Sequence, residues 1–243
     1  MPVMNICDRT FPSPAENLAC DEALLDAAEA GEITQTLRFW EPSEPFVVVG
    51  YGNHIGSEVH QEFCEKMKIP VLRRCSGGGT VLQTAGVLNY ALVLLGESDS
   101  PLHTISGANQ HIMQRNRDAL AGLLGSPVEL NGFTDLSLGG RKFSGNAQRR
   151  RKNYFLFHGS FLLNADIGLI EKALQMPSKK PAYRDSRTHG DFLVNLKVAP
   201  AQVKAALCKA WGAEVALENV PMQEITRLTV ERYSRDEWNL KFV

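Results

Sequence analysis

The sequence lacks several features that would assign it to a class at once. No apolar run is long enough to cross a bilayer, and the first ten residues have no apolar core of the kind a secretion signal requires. Neither charge is in excess, because 26 lysines and arginines face 27 aspartates and glutamates, for a net charge of −1. We therefore expect no membrane segment and no binding of nucleic acid through bulk charge.

Cysteine is scarce and scattered. The five cysteines form no CxxC pair and no cluster with histidine, so we expect neither a zinc site nor a disulfide framework. Repeats and low-complexity tracts are also missing, and the 44% hydrophobic and 22% charged residues are typical of a folded globular protein. The composition predicts a protein of the reducing cytoplasm.

What is present begins with a helix whose ends are well marked. Ser13 is a good N-cap, Pro14 suits the first helical position and Glu16 completes a capping box. Gly31 is a suitable residue for the C-terminal end. The pattern predicts a helix from about residue 14 to residue 30.

Strand-like segments then fill the middle of the chain, with helices before and after them. The predicted strands lie at 36–40, 46–51, 70–74, 87–94 and in three segments from 128 to 163. The predicted helices lie at 57–68 (capped by Ser57), 106–124 (capped by Ser106), 166–176 (started by Asp166), 199–211 and 221–235. No linker separates two domains, so we predict one α+β domain over 1–243, with its core at about 31–225 and a mixed sheet.

The stretch RRCSGGGTV, residues 73–81, carries the strongest chemical signal. Three successive glycines remove every Cβ, so backbone N–H groups can approach an oxyanion closely. Arg73 and Arg74 add forked donors that suit phosphate or carboxylate, and Ser76 adds a hydroxyl. The spacings of a P-loop and of a dinucleotide-binding turn are absent. We interpret the loop as an anion cradle; the alternative is a flexible turn with solvated arginines.

The segment DLSLGGRKFS, residues 135–144, predicts a hairpin with Gly139 and Gly140 at its turn. Lys142 and Asp135 would then share a polar face with small hydroxyls around them. That face suits an anion held beside an ammonium group; the alternative is a surface ion pair of little energetic weight. The predicted register pairs Leu138 with Arg141, Ser137 with Lys142, Leu136 with Phe143 and Asp135 with Ser144.

Two further features stay open at this point. His158, in YFLFHGSFLL, is either a satisfied core histidine or part of a site. Gln148 is followed by four cations at 149–152, which form either a solvated face or a contact for a triphosphate or an acidic partner.

Together these segments resemble the lipoate–protein ligase family, within the wider biotin/lipoate ligase superfamily. The resemblance implies a class II synthetase-like mixed sheet flanked by helices. The matching segments, in the family's order and spacing, are ENLACDEALL, LRFWEP, RRCSGGGTV, LNY, TDL, GRKFSGNAQRRRK and HGSFLLN, from residue 16 to about 164, and more weakly DSRTHGDFLVNL at 185–196.

The resemblance also implies a reaction. Such enzymes use ATP and Mg²⁺ to convert a free acid into an acyl-adenylate, and then transfer the acyl group to a lysine of a lipoyl-carrier domain. The carrier is a dehydrogenase E2 subunit, a glycine-cleavage H protein or a specialised lipoate-binding protein. The acyl chain length, its sulfur content and the choice among these carriers are left open.

Roles for single residues follow from the same resemblance. The family's essential lysine falls on Lys142, and a magnesium or adenylate contact falls on Asp135. The positions that match nucleotide contacts are Arg74, Gly77, Gly78, Gly79, Thr80, Val81, Asp135 and Lys142. The positions that match the acyl pocket are Arg73, Ser76, Lys142, Ser144, Gly145 and His158.

Three departures from the family pattern have consequences. The chain ends at residue 243, which leaves no room for the small C-terminal domain of many bacterial ligases; a separate accessory protein is then required, or none. Asn146 replaces the second serine of the usual SGS, which would alter the pocket. Asn53 stands where the family has glutamine, one methylene longer.

Two rival functions remain. An ATP-independent octanoyl or lipoyl transferase of the same superfamily would need a cysteine shortly before the lysine hairpin, where this sequence reads ELNGFTDLS. Cys75 lies in the glycine loop, and we interpret it as a small buried hydrophobe. A non-catalytic binding module is disfavoured by the presence of Lys142, Arg74 and the three glycines, and a biotin ligase by the absence of GRGRxG.

Overall fold

The computed structural model describes residues 4–177 and 180–243. Most strands are short, and the three long ones, β6, β10 and β9, lie side by side in that order. The strands are β1 Met4–Asp8, β2 Thr36–Trp40, β3 Phe46–Val49, β4 Val71–Arg73, β5 Val81–Gln83, β6 Val87–Leu95, β7 Glu129–Asn131, β8 Asp135–Leu138, β9 Arg141–Arg150, β10 Tyr154–Leu162 and β11 Ala213–Ala216.

Helices precede, interrupt and follow these strands. A π-helical turn at Thr229–Tyr233 extends α8, and 3₁₀ turns lie at Pro101–His103 and Ala182–Arg184. The helices are α1 Pro14–Glu29, α2 Ile55–Glu58, α3 Gln61–Lys66, α4 Ile105–Leu124, α5 Ile167–Ala173, α6 His189–Phe192, α7 Pro200–Trp211, α8 Met222–Leu228 and α9 Asp236–Asn239. Among the described residues, none of the helices is long and apolar enough to span a membrane.

The strands form two sheets. Within the described ranges the larger has eight strands in the order β11-β1-β2-β6-β10-β9-β8-β7, and the smaller has three in the order β4-β3-β5. Both are mixed: β1 runs parallel to β2 and β11, and β3 parallel to β4, while the other pairs are antiparallel.

Three hydrophobic cores surround these sheets. Alternate residues of β6 point to opposite faces of the large sheet, so Leu92 joins a core with α4 and α7, whereas Ala91 joins a core with α1 and α8. The strand predicted at 87–94 is therefore present and is buried on both faces. The third core lies between the small sheet and helices α2, α3, α5 and α6.

Helix α1 begins as predicted. The Ser13 hydroxyl accepts a hydrogen bond from the Glu16 N–H, and the Glu16 carboxylate accepts one from the Ser13 N–H. Gly31, with φ +79°, follows the C-cap Ala30. Local signals are sufficient here because the cap involves only residues that are close in the sequence.

Two other helix predictions were wrong in detail. The predicted helix at 57–68 is two short helices, and Ser57 lies inside the first rather than capping it. Val59 leaves the helical path to form a β-bridge with Leu174, which separates α2 from α3. Helix α4 is capped by Thr104 instead of Ser106, because the Thr104 hydroxyl accepts from the Gly107 N–H.

The hairpin of β8 and β9, called here the lysine hairpin, turns at Gly139 and Gly140 as predicted. Leu138 pairs with Arg141 and Ser137 with Lys142. The register then shifts and Leu136 pairs with Ser144, so the predicted pairs Leu136–Phe143 and Asp135–Ser144 were wrong. Phe143 is the extra residue of a β-bulge, and its fully buried ring joins the core that contains Leu136.

Candidate active site

A cavity of about 890 Å³ lies where the three cores meet. The glycine loop Gly77–Gly79, which connects β4 to β5, and the lysine hairpin both line it. The structure thus brings most of the predicted site residues to one cavity. Those that line it are Arg74, Gly77, Gly78, Gly79, Thr80, Val81, Asp135, Lys142, Ser144, Gly145 and His158.

The glycine loop is wrapped around the buried guanidinium of Arg74. Arg74 Nη2 donates to the carbonyl oxygens of Gly77 at 2.6 Å and Gly79 at 2.7 Å. Gly78 has φ +86°, and a Cβ there would lie 2.9 Å from Arg74 Nη2. Burial lowers the pKa of Arg74 to about 10, so the group stays cationic at neutral pH. A side chain at Gly78 would therefore push the loop off the guanidinium.

Residues 50–53 hold the loop from its other side. Asn53 Nδ2 donates to the Gly78 carbonyl at 3.0 Å and lies 3.3 Å from Thr80 Oγ1. Gly50 is needed for this packing, because a Cβ there would lie 2.3 Å from the Gly78 oxygen. The amide of Asn53, shorter than the glutamine of the family pattern, is thus long enough to reach the loop.

Arg73 is the main exception among the predicted site residues. Its fully buried guanidinium does not line the cavity; Nη1 donates to the carbonyls of Gly50, Tyr51 and Asn53 at 2.8–3.0 Å. Nε donates to the Trp238 carbonyl, and the guanidinium lies over the Phe242 ring, 5.2 Å from its centre. The predicted place of Arg73 in the acyl pocket does not fit this position, because strand alternation turns it away from the side that Arg74 faces.

Lys142 lines the same cavity from β9. Its Nζ lies 2.8 Å from Asp135 Oδ1, while Asp135 Oδ2 accepts from the Tyr183 hydroxyl at 2.8 Å. Gly145 gives the lysine room, since a Cβ there would lie 2.8 Å from Nζ. The Lys142 side chain is 27% exposed. The amine is held in place and still accessible from the cavity.

The two serines of the predicted polar face have different positions. Ser144 lines the cavity as expected. Ser137 is fully buried against β7, where its hydroxyl donates to Glu129 Oε2 and accepts from Asn131 Nδ2. Ser137 therefore contributes to strand pairing at the sheet edge and not to the cavity.

His158 lies in a buried chain of hydrogen bonds that the sequence analysis did not predict. Its Nδ1 lies 2.8 Å from Asp21 Oδ2 and its Nε2 lies 2.6 Å from the Ser76 hydroxyl. Burial raises the pKa of Asp21, but Arg38 and His158 outweigh that effect and hold the pKa below its usual value. Because the carboxylate only accepts, Nδ1 carries a proton and His158 is fixed in orientation. Ser76 lies behind this wall and does not line the cavity itself.

Two cavity residues from the segment 184–193 were also missed. Arg184 and His189 are both buried and both line the cavity. Burial and the neighbouring Arg184 guanidinium lower the pKa of His189 to about 4, and the Glu171 carboxylate only partly offsets them. His189 is therefore neutral at physiological pH. The weak match of DSRTHGDFLVNL to the family was the available signal for this segment.

The run of cations after Gln148 is engaged in structural contacts. Arg151 pairs with Asp26 at 2.7 Å and with Glu22 at 3.3 Å. Arg150 donates to the carbonyls of Leu102 and His103 and lies over the Phe155 ring. These contacts fasten β9 to α1 and to the start of α4, so the triphosphate and acidic-partner readings are not needed to explain these two arginines.

All five cysteines lie in the part of the chain that the structure describes, and none of them lines the cavity. Cys75 is 4% exposed and packs in the core with α1, as predicted for a small buried hydrophobe. Burial raises the pKa of its thiol to about 12. A nucleophilic thiolate is therefore disfavoured at this position.

Within the described residues, three acidic side chains line the cavity, those of Asp21, Glu58 and Asp135. In residues 4–177 and 180–243, no group of three or more His, Cys, Asp or Glu side chains is arranged to hold a metal ion. Asp21 is committed to Arg38 and His158, whereas Asp135 lies at the cavity beside Lys142. Asp135 is therefore a carboxylate that can contribute to a magnesium ion whose other ligands come from phosphates.

Comparisons with curated proteins give two kinds of relative. Lipoate–protein ligase 1 of Staphylococcus aureus is 26% identical over 96% of this chain and 72% of its own length. The octanoyltransferase LipM of Halalkalibacterium halodurans is 27% identical over 94% of this chain and 95% of its own length. Sequence similarity alone therefore does not separate a ligase from a transferase.

Solved structures establish the fold. A bipartite lipoate protein ligase from Thermoplasma acidophilum superimposes with a TM-score of 0.85 at 22% identity, covering 99% of this chain and 97% of that one. A lipoate-protein ligase A bound with ATP gives 0.83 at 23%, covering 99% and 100%. The predicted α+β fold, a mixed sheet flanked by helices, is confirmed. Because the lipoyl protein ligase A/B catalytic domain profile also matches residues 13–210, the chain belongs to that family.

Proposed function

We propose that this chain is an ATP-dependent lipoate–protein ligase. It activates lipoate or octanoate as an acyl-adenylate and passes the acyl group to a lysine of a lipoyl-carrier domain. The observation that carries the proposal is the meeting of Lys142, Arg74 and the bare glycine loop at one cavity that no cysteine of the chain lines. This set suits charge stabilisation on a phosphoryl group and offers no thiol for an enzyme-bound thioester.

In the first step, a carboxylate oxygen of the acid attacks the α-phosphorus of ATP. The acyl O–P bond forms, the bond to the oxygen bridging the α- and β-phosphates breaks, and pyrophosphate leaves. Negative charge grows on the α-phosphoryl oxygens. The Lys142 ammonium and the N–H groups of the glycine loop are the donors that stabilise this charge.

In the second step, the neutral amine of the carrier lysine attacks the acyl carbonyl. An amide bond forms, the bond between the acyl group and AMP breaks, and the nitrogen loses a proton. No nucleophile from the enzyme is needed, so the enzyme contributes by holding the reactants in line. Leu18, Trp40 and Val48 supply an apolar wall suited to the acyl chain, and Ser144, Gly145 and His158 complete the acyl-binding set.

The residues present fit ATP. A Cβ built on Gly77 or Gly79 would meet no atom within 4 Å, so the space beside these glycines is open to a phosphate. Thr80, Val81 and Asp135 extend the nucleotide contacts along the same cavity. Mg²⁺ bound with the phosphates commonly needs one or two protein carboxylates, and Asp135 would supply one. When bound, the ion would neutralise phosphate charge.

The acceptor is a lipoyl-carrier domain, of a dehydrogenase E2, a glycine-cleavage H protein or a specialised lipoate-binding protein. The Thermoplasma structure is described as a bipartite ligase and its E2 lipoyl domain, which supports such a carrier and a separate accessory subunit. Five free thiols suit the reducing cytoplasm.

The second candidate is ATP-independent octanoyl transfer. The observation that favours it is that LipM relatives match over nearly their whole length. A transferase of this kind would have to hold the acyl group covalently before passing it on. The positions of the five cysteines, four buried and one half-buried on α7, give this candidate less support than the ligase.

The test is exchange of radiolabelled pyrophosphate into ATP, with lipoate, octanoate or no acid, beside octanoyl transfer from acyl-carrier protein without ATP. We expect exchange that requires an acid and no transfer in the absence of ATP. Transfer without ATP and without exchange would support the transferase. Absence of both activities would support a non-catalytic binding module.

A further inference from the structure

We propose that Asn146 is a positioning residue that holds Asp135 against Lys142 through the turn at 132–134. The inference rests on the proposed function, because it concerns how the cavity keeps its lysine in place. Asn146 lines the cavity from β9, four residues after Lys142. Its side-chain amide connects the turn at 132–134 to the buried polar side chains of Tyr90 and Asn116.

On one side, Asn146 is bound to the turn. Its side-chain Nδ2 donates to the Thr134 carbonyl at 2.6 Å, and its backbone carbonyl accepts from the Thr134 hydroxyl at 3.1 Å. The turn gains little stabilisation from the burial of Phe133, which is 92% exposed. The two hydrogen bonds to Asn146 therefore fix the position of Thr134.

On the other side, Asn146 is bound to a buried chain of polar groups. Its Oδ1 accepts from the Tyr90 hydroxyl at 2.6 Å, and that hydroxyl accepts from Asn116 Nδ2 at 2.9 Å. Asn116 Oδ1 in turn accepts from Trp211 Nε1 at 2.9 Å. Burial raises the pKa of Tyr90 well above its usual range, so the phenol stays protonated and can donate.

The direction of this chain is fixed from its inner end. The indole N–H of Trp211 can only donate, so the Asn116 oxygen must face it and the Asn116 amide must donate to Tyr90. The Tyr90 hydroxyl, having accepted one bond, donates to Asn146 Oδ1. Only the amide orientation with Nδ2 toward Thr134 satisfies both neighbours of Asn146.

Gly159 is the structural counterpart of Asn146. The two residues are paired in register across β9 and β10, and a Cβ on Gly159 would lie 1.8 Å from Asn146 Oδ1. A serine at position 146, as in the family pattern, would be too short to reach both Tyr90 and Thr134. The asparagine, the glycine opposite it and the tyrosine therefore act as one arrangement.

The position of Thr134 determines the position of Asp135, because the two residues are joined by one peptide bond. Asp135 follows Thr134 directly, and its carboxylate binds Lys142 on one oxygen and Tyr183 on the other. If the turn moves, Asp135 moves with it, and the Lys142 amine loses its fixed partner.

Two matched substitutions break the chain on either side of the amide. Asn146→Asp keeps an acceptor for Tyr90 but loses the donor to Thr134, whereas Tyr90→Phe keeps the Thr134 bond and loses the inner one. Asn146→Ala removes the side-chain bonds to Thr134 and to Tyr90 without adding a charge, and leaves the bond from the Thr134 hydroxyl to the backbone carbonyl of residue 146 in place. Gln148→Ala is the control, since its amide on the same strand binds Asn109 and the Ile105 carbonyl away from the cavity.

We expect Asn146→Asp and Asn146→Ala to lower kcat for acyl-adenylate formation about 10-fold, with the KM for the acid nearly unchanged, as the loss of one hydrogen bond implies. Tyr90→Phe should have a smaller effect in the same direction, and Gln148→Ala none. Unchanged kcat in folded Asn146 variants would overturn the proposal. So would a change confined to KM, which would mean that Asn146 touches the acid itself.

A readout independent of activity separates this proposal from the proposed function. The rate at which an amine-directed reagent modifies Lys142, followed by peptide mass spectrometry, should rise in the Asn146 variants and not in Gln148→Ala. If the wild-type protein fails to exchange pyrophosphate, the proposed function fails, but the labelling rates still test Asn146. Equal labelling in all variants would refute the positioning role.

Discussion

The two walls of the cavity both carry cations, but these cations have different partners. In the glycine-loop wall, the guanidinium groups of Arg73 and Arg74 are buried and donate to main-chain carbonyls. In the hairpin wall, the Lys142 ammonium is partly exposed and meets one carboxylate. The difference teaches that a buried cation that donates to several backbone oxygens shapes the site, whereas a partly exposed cation with a single carboxylate partner is available to a ligand.

The sharpest way to break this comparison is Lys142→Ala. We expect acyl-adenylate formation to fall by at least about 10³-fold, because the stabilising charge at the reacting phosphate is lost. The stability to urea should change by less than about 1 kcal/mol, since a partly exposed ion pair contributes little. Lys142→Arg should also fail, because a planar fork does not replace a point charge. Retained adenylate synthesis in the alanine variant would refute the role of Lys142.

Arg73→Ala should show the opposite pattern. Its removal leaves the carbonyls of Gly50, Tyr51 and Asn53 without their buried donor, and we expect a loss of about 3 kcal/mol in the free energy of unfolding. Urea denaturation measures it, with Lys142→Ala as the matched control. A variant of normal stability that binds lipoate poorly would instead support the predicted role of Arg73 in the acyl pocket.

A smaller effect is expected from His189, a cavity group that could carry charge but stays neutral. Its pKa is about 4 in the folded protein against 6.5 for an ordinary histidine, so the unfolded chain binds more protons between these values. Stability should therefore fall as pH drops through that window, by on the order of 1–2 kcal/mol from about pH 7 to pH 5.

His189→Asn should remove that part of the pH dependence. Denaturation curves of both proteins at the two pH values measure it. An equal loss of stability in wild type and variant would show that other groups are responsible.

The smallest effect is predicted for Cys75→Ser, although Cys75 adjoins the glycine loop. Burial holds its thiol protonated and no step of the proposed reaction uses it, so exchange activity should be kept within about 2-fold. A variant that binds the acyl donor but cannot transfer it would favour the transferase instead.

These contrasts also show which features of the structure could be predicted from the sequence. The cap of α1, the hairpin turn and the meeting of Lys142 with Asp135 depend on neighbours close in sequence, and all three were predicted. The split between α2 and α3 was not, because it depends on Val59 bridging Leu174, a residue distant in the chain. The order of the strands in the sheets was equally beyond local patterns.

Within the site, the sequence did not distinguish two adjacent arginines, and it did not show which polar residues are buried. Arg73 and Arg74 look alike in sequence, yet consecutive residues of an extended segment face opposite ways, and only one of them reaches the cavity. The bulge at Phe143 shifts the register between β8 and β9, and a strict two-residue alternation does not contain such an extra residue. The roles of Asp21, Tyr90 and Asn116 were not predicted, because the sequence does not show which groups form hydrogen bonds with a polar residue inside an apolar element.

The bare backbone at Gly145 offers a practical handle on this chemistry. A methyl group there would collide with the tip of the Lys142 side chain, a flexible end that can swing aside without disturbing the strand. Gly145→Ala should therefore yield a folded protein in which the Lys142 amine is displaced from its place beside Asp135. With such an inactive variant, a complex with the acceptor protein could be isolated, because the acyl group would not be transferred.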